Sequence, residues 1–96
     1  DIGTPAALLK ASRDLVFEMS KQFLALPDSV IAADAVISGG SVIGRGARIE
    51  SLAQVDGSVI GENAVVGAGA RLKNCFVADG FQVPANVIAV DNYFGF

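Results

Sequence analysis

An aliphatic residue returns at every sixth position through most of this chain, and that period excludes the ordinary secondary structures. Ile31, Ile37, Ile43, Ile49 and Val55 keep the spacing; after one step of five it resumes at Ile60, Val66 and Leu72, and after another at Val77 and Val83. A helix repeats every 3.6 residues and a half-buried strand every two, so neither gives six. A strand of about four residues followed by a corner of about two does. Four positions beyond the aliphatic comes a small side chain in most units, Ala35, Ser41, Ala47, Ala53, Ala64 and Ala70, while Val59, Phe76 and Val87 break that rule. Three such units close a triangular coil of about eighteen residues, with the aliphatics stacked in one interior column. The expected architecture is a parallel β-helix of a little over three coils within residues 28–90. Gly39-Gly40, Asp56-Gly57 and Asp79-Gly80 are turn formers suited to its corners, where the five-residue steps should fall.

The residues before Pro27 have a different character: they are rich in leucine, whereas nearly all valine, isoleucine and glycine lies after it. Leucine favours helix, and β-branched residues with glycine favour strands and turns. Residues 5–26 therefore read as one helix, capped by Thr4, opened by Pro5 and stopped by Pro27. At 100° per residue, Leu8, Leu9, Leu15, Val16, Met19, Phe23 and Leu26 share one arc, which predicts a core face. Phe17 and Leu24 fall outside it and are candidate contacts for another subunit or domain. This helix is placed to cover the open start of the coil. The chain closes on Asp91-Asn92-Tyr93-Phe94-Gly95-Phe96, whose aromatics Tyr93, Phe94 and Phe96 are candidates for an interface or for folding back on the coil. The resulting division is 1–27 for the leading segment and helix, 28–90 for the β-helix and 91–96 for an aromatic tail.

Composition narrows the function. Hydrophobic residues make up 52% and charged residues 18% of the 96, which excludes disorder and predicts one small domain. A formal net charge of −3 offers no basic stripe for nucleic acid or an anionic membrane, and no apolar run reaches the length of a span. The absence of histidine removes the Ser-His-Asp and Cys-His relays and histidine zinc sites. A lone Cys75 cannot form an internal disulfide and fits a reducing cytoplasm as a small core residue. Gly44-Arg45-Gly46 and Gly67-Ala68-Gly69 lack the Lys-Ser/Thr of a phosphate loop and read as turns. Arg45, Arg48, Arg71 and Lys73 are candidates for a face that binds an anionic effector, or are ordinary solvated corner residues.

The hexapeptide pattern resembles the left-handed β-helix of bacterial acyltransferases and nucleotide-sugar pyrophosphorylases. Asp1-Ile2-Gly3-Thr4-Pro5, followed by Leu9 and Ala11, is similar to the segment that closes the catalytic domain of mannose-1-phosphate guanylyltransferases and related sugar-1-phosphate nucleotidyltransferases. In those enzymes a helix and then a left-handed β-helix follow, in the order found here. Leu8 stands where that family often has tyrosine, and Ser12 where it often has asparagine. The resemblance implies an all-β domain with one N-terminal helix, coiled left-handedly. It also implies a longer parent enzyme that joins a nucleoside triphosphate to a sugar 1-phosphate and releases pyrophosphate, with GDP-mannose as the expected product. In such enzymes Mg²⁺ neutralises the charge that develops at the α-phosphorus, and Asp1 occupies the position of a magnesium ligand. One carboxylate alone holds Mg²⁺ poorly, so the ion is expected only in the parent.

These readings leave three functions. The first is a non-catalytic C-terminal domain that assembles a cytoplasmic homo-oligomer beside an upstream catalytic domain, without catalytic residues of its own. The second is a hexapeptide acyltransferase, whose family generally uses the histidine that this chain lacks. The third is a regulatory module that binds a nucleotide sugar or metabolite.

Overall fold

The computed structural model describes residues 4–18 and 22–95. In chain order they form helix α1 (Pro5–Glu18), β1 (Phe23–Ala25), β2 (Val30–Ile31), β3 (Val36–Ser38), β4 (Ser41–Ile43), β5 (Arg48–Ile49), β6 (Gln54–Asp56), β7 (Val59–Ile60), β8 (Val65–Val66), β9 (Arg71–Lys73), β10 (Phe76–Val77), β11 (Gln82–Val83), β12 (Ile88–Val90) and β13 (Tyr93–Phe94). Every third strand stacks on its predecessor. The result is three all-parallel sheets, β1-β4-β7-β10-β13, β2-β5-β8-β11 and β3-β6-β9-β12, which are the faces of a left-handed parallel β-helix of about four turns. The first coil advances eighteen residues, as in Leu24 beside Val42 and Val36 beside Gln54. Later coils advance seventeen, as in Val42 beside Val59 and Gln54 beside Arg71.

Inside runs the predicted column. Ile43, Ile60 and Val77 line one face, Ile49, Val66 and Val83 the second, and Ile37, Val55, Leu72 and Ala89 the third, all buried. Burying each Ile, Val or Leu contributes roughly 1.5–3 kcal/mol. Ala47, Ala53, Ala64 and Ala70 are also buried, filling the narrow corners of the triangle. Two of the residues that broke the small-residue rule, Val59 and Phe76, follow from the short step, whereas Val87 lies in an ordinary six-residue step and packs partly buried against the column. Where a corner loses one residue, the inward small position moves to the third place, and Ser58 and Cys75 are fully buried there. Val59 and Phe76 thereby turn outward.

The corners explain the period itself. At most of them a residue takes a left-handed backbone conformation and aims its N–H along the coil axis at a carbonyl one turn earlier. Gly46, Asn63 and Gly80 bond to Pro27, Arg45 and Glu62 at one edge; Gly57, Asn74 and Asp91 bond to Ser38, Asp56 and Lys73 at another. At the third edge Gly69 and Asn86 bond to Ser51 and Ala68. Glycine, asparagine and aspartate tolerate this region at little cost. Leu52, at φ 63°, is the one large aliphatic among the described left-handed corner residues, and its N–H is taken by the Asp34 carboxylate at 3.2 Å. The five-residue steps do fall at a single edge, the one carrying Gly57 and Asn74. A third such step leads from Ala89 to Phe94, so residues 93–94 are a coil strand, not a separate tail.

The leading segment departs from the sequence reading. The described helix is Pro5–Glu18, and Phe23–Ala25 is a strand, whose pairing with β4 satisfies its own backbone groups and those along the β4 edge. Only Leu9 and Val16 of the expected helical core face are buried; Leu8 and Leu15 are exposed, and Met19 lies outside the described residues. Nor does the helix cover the open end. It lies against the side of the coil beside β4, where an added Cβ on Gly40 would sit 3.2 Å from the Cα and carbonyl oxygen of Arg13. Closure of the column is left to phenylalanines. Phe23 packs on it at the start, and Phe81 and Phe94 at the finish, with ring centroids 5.8 Å apart.

The left-handed Leu52 carries a backbone cost of about 1–2 kcal/mol that asparagine or glycine largely avoids. Leu52 is also well exposed, so its side chain gives little back. Leu52→Asn is therefore expected to stabilise the domain by about 1 kcal/mol. Chemical denaturation would show a higher midpoint at unchanged slope, and a lower midpoint would contradict the account.

Candidate functional site

Two inner features and two outer faces hold the side chains with chemistry. The first inner feature is a ladder at the short corner. Ser41 Oγ donates to the carbonyl of Ser38 at 2.8 Å and accepts the N–H of Ser58 at 3.0 Å. Ser58 Oγ donates to the carbonyl of Asp56 at 2.9 Å and accepts the N–H of Cys75 at 2.9 Å. The Cys75 thiol continues the series toward the carbonyls of Lys73 and Ala89, at 3.3 and 3.5 Å. Each side chain closes its own turn and satisfies a buried donor of the next coil. Burial pushes the Cys75 thiol up, and the backbone N–H of Asn92 acts against that shift. A buried, protonated thiol is a poor nucleophile, so Cys75 belongs to the core, in line with its sequence reading.

The second inner feature ties helix to coil. Gly40 and Gly57 leave room for Arg13, whose Nη1 donates to Asn74 Oδ1 at 3.2 Å, and Asn74 Nδ2 donates in turn to Asp91 Oδ1 at 2.6 Å. One arginine thus touches the same edge in three successive coils. On the sheet beside it, outward-facing Leu24, Val42, Val59 and Phe76 are half-buried, as expected beneath a helix.

The structure distributes the sequence candidates widely. Phe17 is 52% exposed on the helix and Tyr93 44% exposed on β13, whereas Leu24 is half-buried on β1 and Phe94 half-buried against Phe81. Asp1 and Phe96 lie outside the described residues. The four basic candidates for an anion face do not converge: Arg45 is at a corner, Arg48 on β5, and Arg71 with Lys73 on β9 of another sheet. Both Gly-X-Gly segments end in left-handed corner glycines, Gly46 and Gly69. Among the described residues no group of three or more His, Cys, Asp or Glu side chains is placed to hold a metal ion. No helix of the described residues is long and apolar enough to cross a membrane.

The sequence reading missed the β3-β6-β9-β12 face. Its outward side has two columns, Val36, Gln54, Arg71 and Ile88 in one and Ser38, Asp56, Lys73 and Val90 in the other. Val36, Ile88 and Val90 are more than half exposed. A shallow groove lies over β6, β9 and β12, floored by Leu72 and Ala89. The signal was in the sequence, at the positions either side of each inward aliphatic, and it shows only when they are compared seventeen or eighteen residues apart.

Stacked six-residue units, small inward corners and a flanking helix define a hexapeptide-repeat solenoid. The match to known families agrees: residues 11–93 fit the family described as GlmU-like, C-terminal hexapeptide, and the chain belongs to that family. The match supports a C-terminal hexapeptide region of a sugar-1-phosphate nucleotidyltransferase. No curated protein matches the chain.

Two substitutions test hydrogen bonds of the coil, one buried and one at the surface. Ser58→Ala leaves the buried Cys75 N–H without its acceptor and should cost about 1–3 kcal/mol in denaturant titrations, while a loss within error would show that the ladder is dispensable. At the surface, Ser51 Oγ donates to Asp34 Oδ2 at 2.6 Å, and this bond with the Leu52 N–H holds the Asp34 carboxyl below its ordinary value. The associated stabilisation is present above the ordinary carboxylate pKa of about 4 and is lost as pH falls through the lowered folded value. Ser51→Ala should move the Asp34 midpoint upward in a carboxyl-carbon NMR titration; an unmoved midpoint would show that the hydroxyl is not the cause.

Proposed function

We propose that this domain is the non-catalytic, C-terminal assembly domain of a cytoplasmic sugar-1-phosphate nucleotidyltransferase that makes an NDP-sugar, GDP-mannose being the specific product. The observation that carries the reading is the hexapeptide-family match over residues 11–93. The Asp1-to-Pro5 segment ahead of the helix supports the mannose assignment, because in the enzymes it resembles that segment closes the catalytic domain. In the parent, Mg²⁺ held partly by Asp1 would neutralise charge at the reacting phosphate. The domain's own contribution is geometric. A stiff coil fixes the distance and orientation between whatever packs on its faces, and the exposed Leu8, Leu15 and Phe17 on the helix give an upstream domain an apolar side to rest on. Other exposed apolar side chains on the coil supply contacts for a second copy. An acyltransferase reading has no histidine to act as base, and the dispersed basic residues give a metabolite-binding reading little support.

The test is a pyrophosphate-release assay with GTP and mannose 1-phosphate, run on the domain and on the chain that carries it with an upstream catalytic domain. The longer chain should turn over with GTP and mannose 1-phosphate above other pairs, and the domain alone should not. Acetyl transfer by the domain alone would replace this reading with the acyltransferase one. A preference for another sugar or nucleotide would correct the product and leave the assembly role standing.

A further inference from the structure

Along one edge of the coil runs a column of left-handed corner residues, Gly40, Gly57, Asn74 and Asp91, each seventeen positions after the last. Two glycines are followed by two polar side chains. The other edges have Asp28, Gly46, Asn63 and Gly80, and Leu52, Gly69 and Asn86, and neither stacks two glycines in succession. Every member of the first column has a part in seating α1. A Cβ on Gly40 would stand 3.2 Å from the Cα and carbonyl oxygen of Arg13, and one on Gly57 would stand 3.4 Å from its Cδ. The two bare corners thus receive first the helix backbone and then the stem of the arginine. Beyond them Arg13 Nη1 donates to Asn74 Oδ1 at 3.2 Å, and Asn74 Nδ2 donates to Asp91 Oδ1 at 2.6 Å. The amide is held between a guanidinium and a carboxylate, which fixes its orientation and polarises both bonds.

We propose that Arg13 is a positioning residue: its bond to the Asn74–Asp91 pair sets the register and roll of α1 on the coil, and so the direction in which a domain ahead of α1 is held. The proposal rests on the reading above for the existence of that domain, whereas the seat lies wholly within this chain. Leu9 and Val16 are the buried residues of α1, and Arg13 stands between them at helical spacing, in the middle of the stripe that faces the coil. Two apolar side chains hold a helix without fixing where along the coil, or at what roll, it sits, because burial has no direction. A hydrogen bond does, and a polar group set within an apolar stripe specifies register. A helix of fourteen residues is marginal in water by itself, so its placement depends on these few contacts. The helix carries that placement forward. Thr4 caps it, Oγ1 accepting the N–H of Ala7 at 3.2 Å, so the chain is ordered with α1 from residue 4 onward. Thr4 lies about 13 Å from Arg13 along the axis, and a tilt of about 10° moves it by about 2 Å.

Arg13→Met keeps the stem and removes the donors, and Asn74→Gly keeps the left-handed corner and removes the acceptor. In this chain, amide hydrogen exchange of α1 should quicken at least about tenfold in either variant, while exchange in β4 to β9 changes less than about twofold and shows that the coil is folded. The double variant should be no faster than the faster single one, since both remove the same bond. Arg13→Lys keeps a charged donor on a similar stem and should bring α1 back to within about threefold of the original. The positioning role is read in the longer chain by electron-spin distances between a label on a Gln82→Cys variant, at an exposed site of β11, and a label on the upstream domain. The distribution should be narrow in the original, at least about twice as broad with Arg13→Met, and narrow again with Arg13→Lys. Unchanged exchange of α1 in both Arg13→Met and Asn74→Gly would overturn the seat, and so would a lysine variant that recovers nothing. Quickened exchange with an unchanged distance distribution would overturn the positioning role alone. Distances that respond as stated in a longer chain that releases no pyrophosphate would support the positioning role and remove the nucleotidyltransferase reading.

Discussion

The corner hydrogen bond governs this structure. A residue in the left-handed region turns its N–H parallel to the coil axis, and a carbonyl one turn earlier receives it. With that bond made, the chain changes direction at fixed intervals, the three sheets stay in register, and the aliphatics land in one column. The energetic logic is that a buried or half-buried N–H left unpaired costs more than the local strain of the turn. Glycine, asparagine and aspartate keep that strain small. The small buried side chains at the same edges follow from the geometry, since a triangle of this size has no room there for more.

Shortening one edge by a residue has consequences in two directions. Inward, it brings Ser58 and Cys75 into positions where each continues a side-chain ladder between coils. Outward, it turns Val59 and Phe76 toward the helix side. The same edge has glycine at positions 40 and 57, and Arg13 lies close to both. The tight corner, the ladder and the docked helix are therefore one device, built on residues a coil apart.

Much of the fold was legible because six is an unusual period. The aliphatic column, the parallel coil and several turn residues could be read directly from Ile31 through Val83. The ends of the domain were less legible. Leucines near Phe23 favour helix locally, yet strand pairing with β4 wins there, and a tail that looked separate is the last coil strand because Phe94 takes the place of a repeat aliphatic. Of the functional surface, Phe17 and Tyr93 were legible as exposed apolar groups. The Val36, Ile88 and Val90 face was not, because its pattern lies across coils, between residues that adjoin only after the chain has wound.

Arg13 also changes how the coil can come apart. A repeat solenoid holds each unit mainly through its nearest neighbours, so it can lose coils one at a time from either end. A single side chain that touches Gly40, Gly57 and Asn74 couples units that are not adjacent. The front three coils thereby share one contact, while the coil after Asn74 is reached by it only indirectly, through the Asn74 to Asp91 bond, and is closed by Phe81 and Phe94. Loss of coils is therefore expected to begin at the far end, where no helix bridges one coil to the next.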